Sequence, residues 1–344
     1  MDIKKEYERW FANATADADV AAELKTLDDA KIEDAFYRDL DFGTGGLRGV
    51  IGAGTNRMNI YTVAKASQGL ADYLKKNFAE PSVAIGYDSR IKSDVFAKVA
   101  AGVFAANGVK VSIWPVLMPV PTVSFATRYL HTSAGVMVTA SHNPGKYNGY
   151  KVYWEDGAQF TPPHDKGVTE EVMAITDLST VKTMRAQEAK AKGLYEIIGA
   201  AIDDKYIAQV KAQVVNQGAI DRMQDQITIV YTPLHGTGNI PARRVMKELG
   251  FTHVYVVPQQ ELPDGDFPTV SYPNPEAKEA FELGLALAKE KNADLVLATD
   301  PDADRLGVYV KDTCSGSMCS ARNRQTARFR QMDRLLNPSL RRIW

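Results

Sequence analysis

Apolar residues in the first 38 positions recur at helical spacing among charged and alanine residues: Tyr7, Trp10 and Phe11, then Leu24, Leu27, Ile32 and Phe36. This spacing predicts a helical arm over 1–40. From position 82 the pattern changes to short apolar runs separated by amphipathic stretches. Runs at 82–87, 109–114, 134–139, 227–231, 254–257 and 294–299 predict strands, and their alternation with helical stretches predicts sheets covered by helices on both faces. Ser93 is expected to cap a helix that buries Val95, Phe96, Val99, Val103 and Phe104 and stops at Gly108. Asn274-Pro275-Glu276 predicts another helix start, with Pro275 at the first helical position. A lysine- and alanine-rich stretch near 183–192 has little apolar content, which places a boundary between two α/β units at about 190–200.

Composition narrows the function classes more than it names one. The chain has 344 residues, 45% of them hydrophobic and 24% charged, enough for two or three globular domains. A formal net charge of -1 gives no bulk attraction to nucleic acid or an anionic membrane, so any anion must be bound locally. No apolar run approaches the roughly 20 residues that span a bilayer, and no signal core follows the start, so a cytoplasmic protein is expected. The last 33 residues differ: seven arginines, no lysine, both cysteines (Cys314 and Cys319) and no sustained period, after a body in which lysine outnumbers arginine about two to one. Residues 305–310 read as a strand entry that 311–344 do not continue. The break favours an altered reading frame or misjoined end at 312–344 over a solvated basic tail.

Three segments carry candidate chemistry. The run 134–139 leads straight into Thr139-Ala140-Ser141-His142-Asn143-Pro144-Gly145, which delivers a hydroxyl at the carboxyl end of a strand, where open α/β sheets bind ligands. Ser141 reads as a turn residue or as a nucleophile. The turn lacks the G-x-S-x-G elbow of serine hydrolases, and phosphoryl chemistry fits better. Lys151 becomes a proton donor and acceptor if its pKa is depressed, and is otherwise surface charge. The second segment, Asp300-Pro301-Asp302-Ala303-Asp304-Arg305, follows the apolar run at 295–298. Carboxylates at alternate positions of an extended segment share a side and repel unless a cation sits among them, and hard oxygen ligands favour Mg²⁺. An EF-hand loop is excluded, because Arg305 stands where it needs glycine and Lys311 where it needs glutamate. A D-x-D phosphatase nucleophile is the competitor. The third segment, Gly43-Thr44-Gly45-Gly46-Leu47-Arg48-Gly49, has the wrong spacing for a dinucleotide fingerprint, but its glycines can let backbone donors reach an anion beside Arg48. Gly86-Tyr87-Asp88-Ser89-Arg90 and Thr232-Pro233-Leu234-His235-Gly236-Thr237-Gly238 are expected to add polar support at the same edge.

In this order the segments resemble the α-D-phosphohexomutase superfamily, with a likeness to bacterial phosphoglucomutases of the phospho-sugar mutase type, from the arm to about Lys311. The resemblance implies an α/β fold: two consecutive α/β/α domains with mixed, mostly parallel sheets (41–195 and 196–311) behind the arm. It implies that Ser141 carries a phosphoryl group and completes Mg²⁺ coordination with Asp300, Asp302 and Asp304. Lys151, His142 and Arg48 would then be catalytic, with Arg48, Arg90, Asn143, His235 and Arg305 binding phosphate or substrate. The implied activity is an intramolecular phosphotransferase that interconverts hexose 1-phosphate and 6-phosphate, glucose first, through glucose 1,6-bisphosphate. Relatives have four domains, so 312–344 would stand in place of domains III and IV. The expected consequences are little turnover by this chain, an uncovered apolar edge on the second domain, and self-association. The competing class is a non-catalytic binding or scaffold protein that reuses the two-domain core.

Overall fold

The computed structural model describes residues 2–43, 45–312 and 316–320. The arm is three helices, α1 (Ile3–Asn13), α2 (Ala18–Leu24) and α3 (Asp29–Phe36), each opened by an aspartate that accepts from a first-turn N–H. They close a separate small core of Trp10, Val20, Leu24 and Phe36. Lys92, which pairs with Asp17 and Asp19, clips the arm to the body.

The first sheet contains β1 (Gly46–Val50), β2 (Ser82–Tyr87), β3 (Lys110–Ile113), β4 (Ala134–Val138), β5 (Tyr147–Trp154) and β6 (Tyr195–Ile197), in the order β1-β5-β4-β2-β3-β6. β4, β2, β3 and β6 run parallel, while β5 and β1 are antiparallel additions. The unbroken apolar runs of β2 and β4 follow from burial on both faces. Val83, Ile85, Val136 and Val138 enter one core, beneath α4 (Ile60–Asn77) and α5 (Ser93–Ala106), whereas Ala84 and Met137 enter another, beneath α6 (Val120–Tyr129). The second sheet contains β7 (Thr228–Thr232), β8 (His253–Val256), β9 (Leu295–Thr299), β10 (Leu306–Lys311) and β11 (Met318–Ser320), in the order β11-β10-β9-β7-β8. Its core holds Val230, Val257, Phe281 and Val296.

Several expectations change. Within segment 43–49, residues 46–49 form a strand rather than a loop: Gly46–Val50 pairs residue by residue with β5, and its glycines permit close backbone approach. A Cβ on Gly46, at φ +137°, would sit 1.8 Å from the Tyr150 carbonyl oxygen. Ser93 is not the cap of α5: left-handed Lys92 holds that position, and the Ser93 hydroxyl donates to Asp88 instead. Val95 is exposed. Asn274 forms a local turn by accepting from the Glu276 N–H, and the helix waits until Glu282–Lys291. Order also continues past 311. Asp312 and Ser317 close a hairpin, with Gly316 left-handed, that adds β11 to β10, so this part of the expected tail belongs to the second sheet. The remaining positions of that tail, 313–315 and 321–344, lie outside the described residues. Among the described residues no helix is long and apolar enough to cross a membrane.

Candidate functional site

The carboxyl ends of β4 and β9 meet. Leaving β4, Thr139 turns its hydroxyl back to accept the Ser141 N–H (2.8 Å), and Ser141 adopts a left-handed φ of 54°, uncommon for serine. The turn aims Ser141 Oγ across the domain boundary, where it donates to Asp300 Oδ2 at 2.9 Å and lies 3.2 Å from His142 Nδ1. Segment 300–304 is a tight turn rather than the extended strip expected. Ala303 is left-handed and its N–H returns to the Asp300 carbonyl. Convergence of the acids survives this correction, with carboxylate oxygens of Asp300, Asp302 and Asp304 all within 4.8 Å of one another.

The turn's backbone is held from both sides. Thr237 gives the Pro301 carbonyl both its N–H (2.8 Å) and its hydroxyl (2.9 Å), while Val120, at the start of α6 in the first domain, donates to the Asp302 carbonyl at 2.9 Å. Asp302 Oδ2 accepts from Lys151 Nζ (2.8 Å) and lies 3.1 Å from Thr139 Oγ1. Lys151 projects from β5 and also reaches Asp304 Oδ2 at 3.1 Å.

Electrostatics sort these groups. Burial, then the charges of Asp302 and Asp304, push the Asp300 carboxyl well above the usual carboxylate range. Burial opposes ionisation of Asp302 too, but the Lys151 ammonium outweighs it and keeps that carboxyl low. Burial likewise opposes the Lys151 charge and is outweighed by Asp302 and Asp304, so its pKa rises, opposite to the depression expected. His142 is lowered by burial and by Arg305 and Arg48, which favours a neutral ring beside Ser141 Oγ.

A cation fits this arrangement on the structure's own terms. Asp302 Oδ1 is buried with no hydrogen-bond partner, and Lys151 with the more distant Arg305 gives three clustered carboxylates only two cations. All the oxygens are hard donors, suited to Mg²⁺.

The structure divides the remaining expected residues. Arg48 is exposed at the rim, with Nη1 3.3 Å from Asn143 Oδ1, and Arg305 lies close by, with Nε 4.0 Å from Asp300 Oδ2. Arg90 and His235 do not face the cleft. Arg90 is buried beneath the serine turn and donates to its carbonyls. His235 has both ring nitrogens engaged, by the Leu262 carbonyl and Thr269 Oγ1. Thr139, Thr237 and buried Asp88, which lies 2.7 Å from Thr139 Oγ1, were not singled out as site residues. For Thr139 a signal existed in its place two positions before Ser141, and Asp88 and Thr237 lie in the two segments, 86–90 and 232–238, expected to add polar support at this edge.

The chain matches two family profiles: "Phosphoglucomutase/phosphomannomutase, alpha/beta/alpha domain I" over residues 39–179 and the corresponding domain II over residues 204–316. It is 42% identical over 258 residues to a probable phosphomannomutase of Haemophilus influenzae, covering 74% of this chain and 51% of that protein. Against a phosphoglucomutase of Staphylococcus haemolyticus it is 39% identical over 281 residues (82% and 50%), and against a phosphoribomutase of Saccharomyces cerevisiae 37% over 337 residues (92% and 53%). The crystal structure of a putative phosphomannomutase from Thermus thermophilus superposes with a TM-score of 0.67 at 26% identity, over 79% of this chain and 57% of that one. The chain therefore spans about half the length of the curated relatives it matches.

Proposed function

Because the chain belongs to the phosphoglucomutase/phosphomannomutase family of the α-D-phosphohexomutase superfamily, we propose that it is the phosphoryl-carrying part of a phosphosugar mutase, with Ser141 as the carrier. The observation that supports this reading most directly is Ser141 Oγ at 2.9 Å from Asp300 Oδ2, beside the unpartnered Asp302 Oδ1. In the proposed step a bond forms from Ser141 Oγ to phosphorus as the bond from phosphorus to the sugar oxygen breaks. The serine hydroxyl hydrogen points to Asp300, with neutral His142 as the adjacent acceptor. Lys151, kept protonated by two carboxylates, stands as donor to the departing sugar oxygen. Arg48 and Arg305 supply cations at the rim for phosphoryl oxygens. Asp300, Asp302 and Asp304 would hold Mg²⁺ together with the Ser141 oxygen, and the ion would supply charge neutralisation and Lewis-acid polarisation at the phosphoryl group.

The substrate proposed is a hexose phosphate, glucose first, with glucose 1,6-bisphosphate as phosphoryl donor, in the cytoplasm. Relatives named for mannose, ribose and pentose phosphates make those sugars the comparison arms. Positioning through the far end of a substrate contributes about 7–11 kcal/mol in favourable cases. For the 344-residue polypeptide, which spans about half the length of the relatives it matches, the proposal is phosphate uptake with weak interconversion.

The test is mass spectrometry after incubation with glucose 1,6-bisphosphate and Mg²⁺. One phosphate on Ser141, absent in Ser141→Ala and in EDTA, is expected; an unmodified wild-type chain would favour the scaffold reading. Brisk conversion of glucose 1-phosphate by the 344-residue polypeptide would overturn the weak-turnover proposal.

A further inference from the structure

Arg90 gathers the serine turn from below. Its terminal nitrogens donate to the carbonyls of Ser141 (2.6 Å), Pro144 (3.1 Å) and Tyr147 (3.0 Å), and to that of Asn143. Asp88 holds the guanidinium from behind, with Nε to Oδ2 at 3.4 Å, and accepts the backbone N–H of Arg90 at 3.0 Å. Cover for the guanidinium face comes from the other domain, where the Phe267 ring lies with its centroid 5.0 Å from Arg90 Cζ.

The segment carrying that ring is seated tightly on the first domain. A Cβ on Gly265 would lie 2.6 Å from the Ile91 nitrogen and 2.9 Å from the Ser89 carbonyl oxygen, and one on Gly145 would lie 2.9 Å from the Gly265 oxygen. No side chain fits between these backbones without displacing one of them. Phe267 is itself left-handed (φ 49°), with its ring at 61° to that of His235 and centroids 6.5 Å apart, and the two His235 nitrogens are tied to Leu262 and Thr269. The ring is thus fixed by the second domain and applied to the first.

We propose that Phe267 and Arg90 form an interdomain latch: docking of the second domain sets the conformation of the turn that presents Ser141. The left-handed backbone at Ser141 is a state serine adopts reluctantly, and it persists where surrounding bonds over-determine it. Arg90 supplies those bonds, and they hold only while the guanidinium stays in one plane and water is kept from competing for its N–H groups. An aromatic face satisfies both conditions, through cation–π attraction and through exclusion of solvent. Both residues act as positioning residues, and the claim about turn conformation stands on geometry alone. Its consequence for chemistry rests on the reading of Ser141 as phosphoryl carrier.

The experiment is hydrogen exchange, read by mass spectrometry on the whole polypeptide, of wild type, Phe267→Tyr, Phe267→Leu and Gly265→Ala. Exchange of the peptide spanning 139–149 is expected to quicken by about tenfold or more in Phe267→Leu and Gly265→Ala, to stay at the wild-type rate in Phe267→Tyr, and to leave the β2 peptide unchanged. Equal protection of 139–149 in all four proteins, or acceleration spread evenly through the first domain, would overturn the latch. Phosphate uptake at Ser141 should follow the same ranking, with Tyr rescuing what Leu loses. Should wild type take up no phosphate, the carrier reading fails, and the exchange ranking still decides whether the latch exists.

Discussion

Asp302 presents two oxygens in different circumstances: Oδ2 takes the Lys151 ammonium, and Oδ1 is buried with nothing to bond. Without a cation the acid cluster is a local source of instability, and Asp300, whose carboxyl pKa is already pushed up by burial and by its acidic neighbours, can give way to an amide without harm to the metal-free fold. Asp300→Asn is therefore expected to melt at or above the wild-type temperature in EDTA. Saturating Mg²⁺ should raise wild-type stability, by about 2.7 kcal/mol at a hundred times the dissociation constant, and should leave the variant little changed. Scanning fluorimetry with and without Mg²⁺ reads both arms, and an equal Mg²⁺ response in the two proteins would refute the metal assignment. Lys151 gives the opposite case. Lys151→Met leaves the fully buried Asp302 unpaired, a loss that typically costs about 3–5 kcal/mol. The deficit should shrink on adding Mg²⁺, because a divalent ion replaces the lost positive charge; urea midpoints in EDTA and in Mg²⁺ check this. That Ser141 and the three aspartates stand out as candidates was readable because each lies in a short contiguous segment after a strand, and the fold brings these segments together. The direction of the Lys151 shift was not, since it depends on two carboxylates about 150 residues away in sequence that only the fold brings near. Arg90 misled for a related reason: an arginine after a strand reads as an anion ligand, and nothing local announces that four carbonyls of a distant turn claim it.

Elements buried on both faces announced themselves, and elements built from glycine did not. β2 and β4 are continuous apolar runs because each face meets a different core. β1, which pairs with β5 across Arg48–Gly149 and Gly46–Lys151, carries only Leu47 and Val50 as large apolar side chains, so hydrophobic periodicity did not reveal it and 43–49 was read as an anion segment. Helix starts depend on equally local geometry. α4 begins at Asn59, whose side chain accepts from the Tyr61 and Thr62 N–H groups while its amide donates to the Gly52 and Gly54 carbonyls. One buried amide therefore caps the helix and closes the preceding loop. Asn59→Ala should lose the cap and orphan two carbonyls, for about 2–4 kcal/mol in all. Asn59→Asp, which keeps the acceptor and loses the donors, should fall between it and wild type. A urea series that placed Asp and Ala together at wild-type stability would show that the bonds contribute nothing net.

At the scale of the molecule, two sheets bring the carboxyl ends of β4 and β9 together, and bonds between the domains gather at that junction: Ser141 to Asp300, Thr139 to Asp302, Lys151 to Asp302 and Asp304, Val120 to the Asp302 carbonyl. The outer flank of the second domain is different. Ile240, Leu262 and Leu306 are 75%, 73% and 63% exposed. Leu306 opens onto a shallow groove of about 290 Å³ that it shares with Tyr206, Pro241, Val245 and Leu297. Asn239 donates to the Glu261 carbonyl, which ties the start of the helix Asn239–Glu248 to the segment that precedes Leu262. Large apolar side chains left this exposed favour association, because each buried square ångström of apolar surface contributes about 25 cal/mol. The 344-residue polypeptide is accordingly expected to show a mass above the monomer in light scattering as concentration rises. Added salt should strengthen the effect rather than screen it, since the contact is apolar. The double substitution Ile240→Ser with Leu306→Ser, both far enough out to leave the core untouched, should return the monomer without lowering the melting temperature. A wild-type chain that stays monomeric at every concentration would mean that these side chains are too dispersed to act as one surface.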